Sequence, residues 1–126
     1  MPIFEIRLMV SDSVMVLLPR RALVCGIGGL LQIGIRAYSL DEAKFAETDD
    51  RIETFYAQDL FSPSAGMTIW NSLIERISQL SGPIWLNFDI DGLDGSLVPD
   101  TGTPVPGGSD SLGCGGNYRR VFCQTT

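Results

Sequence analysis

Between residues 30 and 91 the chain alternates short apolar runs with segments of helical period, and this alternation narrows the fold more than any other feature. Residues 30–36, LLQIGIR, form an apolar run after Gly28-Gly29, which suits a buried strand. Ser39 and Glu42 stand at capping-box spacing for a helix that starts near Leu40 and ends near Asp49. The β-prone residues Ile52, Thr54, Phe55 and Tyr56 predict a second strand over residues 51–58. Ser62-Pro63-Ser64-Ala65-Gly66 reads as a loop. Over residues 67–80, Ile69, Trp70, Leu73, Ile74, Ile77 and Leu80 then recur at helical spacing. Gly82-Pro83 stops that helix and delivers the chain into a third apolar run. Strand, helix, strand, helix, strand predicts a three-layer α/β/α domain with a mostly parallel sheet and right-handed crossovers.

The third run ends in two carboxylates. In an extended segment over residues 84–91, Trp85, Asn87, Asp89 and Asp91 share one face, while Ile84, Leu86, Phe88 and Ile90 share the other. The second set is wholly apolar, which predicts an inner strand covered by helices. Asp89 and Asp91, two positions apart on one face, repel each other, and a hard divalent cation between them is the simplest remedy. Ligands of open α/β sheets bind beyond the carboxyl ends of the strands, where these aspartates fall.

Charge and composition exclude several classes of function. At 126 residues the chain suits one domain, and 44% hydrophobic with 19% charged residues is a globular composition. A net charge of -6 with only nine Lys and Arg leaves no nucleic-acid footprint. A cationic or neutral small ligand fits better. The longest uncharged apolar stretch, between Arg21 and Arg36, holds four glycines and falls short of the roughly 20 residues of a membrane span. The start, MPIFEIRLMVSDS, lacks the basic and apolar regions of a secretory leader, so a cytoplasmic protein is expected. Cys25, Cys114 and Cys123 make no C-x-x-C pair, and free thiols are expected rather than zinc ligands. Gly26-Ile27-Gly28-Gly29 precedes its strand, and Leu31 takes the place of the last glycine of a dinucleotide fingerprint, so a turn is expected there. Residues 1–19 show no sustained period and fit either a strand or a helix. Residues 109–126 form a Gly- and Ser-rich tail for which disorder is expected.

An EF-hand loop beginning at Asp89 fails, because Leu93 takes an oxygen-ligand position and Asp94 the glycine position. Asp89-Ile90-Asp91-Gly92 resembles the start of the haloacid-dehalogenase-like phosphohydrolase signature, in which the first aspartate, here Asp89, is the nucleophile. Leu93 stands where that signature has Thr. The longer segment FDIDGLD followed by SLVPDTGTPVPGG resembles the ureohydrolase family of arginases and agmatinases. Pro99, Gly108 and the loop Thr101-Gly102-Thr103-Pro104 match that signature, while Asn87, Gly95 and Asp100 depart from it. RRAL, GIGGLLQIGIRAYS and the helix before Ile84 extend the resemblance over residues 20–108, closest to the agmatinase-like branch.

The resemblance implies an arginase-like fold, here incomplete, and hydrolysis of a guanidino compound, agmatine or arginine, to urea and an amine. It implies a pair of manganese ions that activate a bridging water, with Asp89 bridging the ions and Asp91 binding one of them. Asp94 would orient the turn or simply cap it. Family members are homo-oligomers, and a small guanidino substrate would be the partner, with neither nucleic acid nor membrane involved. The family's remaining ligands, an Asp-x-His-x-Asp segment and further histidines, precede the part matched by LLQIGIR, and this chain has no histidine. A substrate-holding glutamate would fall beyond Gly108. Impaired activity is therefore expected, and a non-catalytic fragment is the alternative. The abrupt loss of resemblance near Arg20 and after Gly108 suggests a change of reading frame at both places.

Overall fold

The computed structural model describes residues 3–8, 17–100 and 106–107, apart from the side chains of Glu5, Arg7, Leu8, Leu17, Leu18, Pro19 and Asp91. The tail expected to be disordered, the loop Thr101-Gly102-Thr103-Pro104 and Gly108 lie outside these residues. Strands β1 (Phe4–Leu8), β2 (Gly29–Ile35), β3 (Ile52–Tyr56) and β4 (Ile84–Phe88) are all parallel, in the order β3-β2-β1-β4. Helix α1 (Leu17–Val24) joins β1 to β2, and α2 (Leu40–Thr48) joins β2 to β3. The return from β3 to β4 carries α3 (Ala57–Leu60) and α4 (Gly66–Ser78). The chain first winds outward from β1 and then crosses back, so the strand order reverses between β1 and β4.

Helices cover both faces, as an α/β/α layering requires. Leu31 and Ile33 of β2 point to one side, where they pack with Ile6, Leu60, Trp70, Leu73 and Ile77 under α3 and α4. Leu30 points to the other side and packs with Leu23, Ile52, Phe45 and Ala46 under α1 and α2. The apolar period of α4 thus buries Trp70, Leu73 and Ile77 as the spacing predicts. No helix among the described residues is long and apolar enough to cross a membrane.

Local signals explain where the elements start and stop. Ser39 accepts the Glu42 N–H at 3.3 Å, and the Glu42 carboxylate accepts the Ser39 N–H, which completes the capping box of α2. At the end of α1, Gly26 has φ +96°, and its N–H bonds to Leu23 O at 3.2 Å while the Ile27 N–H reaches Ala22 O at 3.3 Å. That pairing is a Schellman stop. The glycine-rich segment is a helix terminus followed by the start of β2, in line with the expected turn. The strand predicted over residues 51–58 ends at Tyr56, and Ala57 already belongs to α3.

One expectation fails. The last strand is not an inner one: among the described residues β4 pairs with β1 alone and forms the edge of the sheet. Trp85 is 66% exposed and Phe88 42%. The inner position belongs to β1, drawn from the unpatterned start of the chain, with Ile6 fully buried. Trp85 and Asn87 lie on the face served by α1 and α2, whose buried cluster among the described residues packs over β2 and β3.

Candidate functional site

The two aspartates do not lie on one strand face. Extended backbone ends at Phe88, and Ile90–Gly92 forms a single 3-10 turn. The Gly92 N–H bonds to Asp89 O at 3.0 Å, and the Leu93 N–H bonds to Ile90 O at 3.1 Å. Asp89 is therefore the hinge between strand and turn, and Asp91 sits inside the turn. The alternation that would place both carboxylates on one face stops one residue before the first of them, because the glycine-ended turn curls the chain away from the sheet. Asp89 is half-buried, whereas the side chain of Asp91 lies outside the described residues. β1 and β4 run in parallel register up to Leu8 and Phe88, so Asp89 emerges at the carboxyl end of the sheet, beside the reversal of strand order.

One further residue holds this turn in place, and another organises the segment after it. Arg36 follows the end of β2, and its guanidinium donates from Nη1 to Gly92 O at 3.2 Å and from Nη2 to Leu93 O at 2.8 Å. A longer contact from Nη1 reaches Gly34 O at 3.5 Å. Asp94 organises the segment that follows. Its Oδ1 accepts the Ser96 N–H at 2.9 Å and the Ser96 hydroxyl at 2.6 Å, and its Oδ2 accepts the Gly107 N–H at 2.8 Å. Asp94 thus caps a turn, as one of the two sequence readings has it, and also tethers the loop that follows. Arg36 was not legible as a site residue. Its only signal was a charge closing an otherwise apolar strand.

Tyr38 and Tyr56 stand at the same end of the sheet, just after β2 and at the end of β3, with ring centroids 5.2 Å apart and planes tilted by 44°. Burial pushes the Tyr56 phenol above its ordinary value, and the neighbouring Tyr38, Glu47 and Asp59 add to that.

The donor set is small. Among the described residues no three His, Cys, Asp or Glu side chains gather closely enough to hold a metal ion, and the whole sequence contains no histidine. The described donors therefore do not fit a two-manganese centre by themselves. β1, the segment before β2, lies directly beside β4 and reads FEIRL.

Residues 19–112 match the Arginase family. Among curated proteins, the chain is similar to an agmatinase of Pyrococcus horikoshii, 33% identical over 75 residues, which are 60% of this chain and 23% of that protein. The hepatic arginase of Aquarana catesbeiana is 56% identical over 46 residues, 33% of this chain and 14% of that protein. An N(1)-aminopropylagmatine ureohydrolase of Thermococcus kodakarensis is 35% identical over 75 residues, 60% of this chain and 23% of that protein. The chain thus spans about a quarter or less of the length of these relatives. No solved structure matches it.

Proposed function

The chain belongs to the arginase family, and from that premise we propose that it carries the aspartate turn of a ureohydrolase, an enzyme that cleaves a guanidino compound such as agmatine or arginine to urea and an amine. The observation that carries this reading is the coincidence of the family match with a specific place in the fold. The matched span of residues 19–112 includes the turn at Asp89 to Gly92, and that turn leaves β4 where the strand order reverses. Open parallel sheets bind ligands there. The match favours the ureohydrolase reading over the phosphohydrolase one.

The proposal extends to Asp89 and Asp91 as this chain's share of a manganese ligand set, since carboxylate oxygens suit that ion. Two carboxylates without imidazoles are too few to hold a pair of ions. A cytoplasmic setting belongs to the same reading. Assembly into homo-oligomers is carried over from the family resemblance.

Urea release by the purified chain from agmatine or arginine, with manganese added, is the direct test. Release that is lost in Asp89→Asn supports the reading. A folded chain that releases no urea from either compound, even at high enzyme concentration, sinks the activity.

A further inference from the structure

We propose that Arg36 is the positioning residue of the aspartate turn, a fork that sets the direction in which Asp89 and Asp91 leave the sheet. The inference rests on the proposed role of those aspartates, but the geometry behind it stands independently. β1 lies between β2 and β4, so Arg36 starts two strand spacings from β4, roughly 10 Å away. It nevertheless reaches Gly92 O and Leu93 O, at sequence separations of 56 and 57. The turn is therefore folded back across the end of β1 rather than continuing along β4.

A feature of β2 prepares this reach. Ile33 pairs with Phe55, but it is Ile35 that pairs with Tyr56, so Gly34 is the extra residue of a bulge, and its φ is +84°. The bulge shifts the side-chain alternation by one, and Arg36 leaves the strand out of phase with Leu30 and Gln32. Gly92 is buried, so its carbonyl needs a partner from the protein. A planar guanidinium serves two adjacent carbonyls from two nitrogens, which the single ammonium of lysine does not reproduce.

The test uses the full 126-residue chain and its Arg36→Lys and Arg36→Met variants. Amide hydrogen exchange at Gly92 and Leu93 should accelerate by about tenfold in both variants, while unfolding stays cooperative and the thermal midpoint falls by only the several degrees that one unpartnered buried carbonyl costs. Unchanged exchange at the turn would overturn the proposal. Loss of the cooperative transition would also overturn it, because Arg36 would then be needed to fold the domain rather than to place the turn.

Binding of manganese alone, followed by the paramagnetic signal of the free ion, separates the two readings. Wild-type binding that weakens about tenfold in an Arg36→Lys chain that is still cooperatively folded ties the fork to the aspartates. Wild-type binding that the variant fully retains refutes positioning. A wild-type chain that binds no manganese sinks the ligand role of Asp89 and Asp91, and the exchange result then decides the fork alone.

Discussion

Asp94 Oδ2 accepts the backbone N–H of Gly107 at 2.8 Å, across thirteen positions of the chain. Its other oxygen accepts both donors of Ser96, at 2.9 Å and 2.6 Å. One carboxylate therefore closes the tight turn after Leu93 and fixes the far end of the loop that follows. Arg36 holds the carbonyls of Gly92 and Leu93, and Asp94 holds the amides of Ser96 and Gly107 in the segment that follows.

Removal of that carboxylate should loosen the loop more than it weakens the domain. Asp94→Ala is expected to lower the unfolding free energy by about 1 kcal/mol, because the three bonds lie at groups that water can also serve. Thermolysin should not cut the core faster, but its cleavage before the exposed Leu97 should accelerate. Asp94→Asn keeps an acceptor oxygen and should fall between the two. Urea denaturation and timed proteolysis measure both effects, and a loop as resistant in Asp94→Ala as in wild type would refute the tether.

Trp85 and Leu73 are both large apolar residues, and the sheet order assigns them opposite energetic roles. Leu73 is fully buried between α4 and the sheet, and Leu73→Ala should cost about 2–5 kcal/mol, much of the stability of a domain of this size. Trp85, 66% exposed on the edge strand, should change stability by no more than about 0.5 kcal/mol in Trp85→Ala. Chemical denaturation of the two variants is the measurement. A Trp85→Ala loss comparable to that of Leu73→Ala would show that the edge is covered.

The contrast between Trp85 and Leu73 also marks what was legible in the sequence. Periodicity found α4 and its buried face, because a helix repeats its pattern over several turns and each turn tests the last. Capping chemistry found the start of α2, since Ser39 and Glu42 act within one turn. Strand order is a different kind of information. The apolar run at residues 84–88 looks the same in the middle of a sheet as at its rim, and only the insertion of β1 between β2 and β4 decides the question. The family was legible because the neighbours of Asp89 carry a long spaced signature. Arg36 was not, because its meaning comes from a turn 56 positions away.

The ion pair of Asp49 and Arg51 should leave a small acid signature. Arg51 donates from Nε to Asp49 Oδ1 at 3.0 Å and from Nη2 to Oδ2 at 2.8 Å, and its backbone N–H also reaches Oδ1 at 3.0 Å. The side-chain bonds from Arg51, followed by its backbone bond, hold the Asp49 carboxyl below the usual carboxylate range. The folded value lies under the unfolded one, so the stabilisation is present above the ordinary aspartate value of about 3.9 and fades as pH falls through the folded value. Carbon-13 titration should give Asp49 a midpoint below that of ordinary aspartates, and Arg51→Gln should raise it. The pair is reached by solvent, so the stability difference between wild type and Arg51→Gln should be small at neutral pH and should shrink in high salt and in strong acid, down to what the bond from Arg51 Nη1 to Leu23 O at 3.3 Å contributes.

Gly66 sets two opposing effects against each other, and their magnitudes decide the sign. It opens α4, where alanine would be the better helix former by about 1 kcal/mol. A Cβ at this position would stand 2.4 Å from Leu60 O and 3.2 Å from Leu60 C, both backbone atoms of α3. Neither can swing aside as a side-chain tip would, so α3 and α4 would have to separate, and α3 carries the buried Leu60 into the same cluster as Trp70 and Leu73. Overpacking of this kind costs about 1–3 kcal/mol, and Gly66→Ala is expected to be a net loss. Met67→Ala, one position on and 67% exposed, is the control that gains propensity without a clash and should be near neutral. Thermal unfolding of the two variants compares them directly. A Gly66→Ala chain more stable than wild type would mean that α3 does not lie against the start of α4.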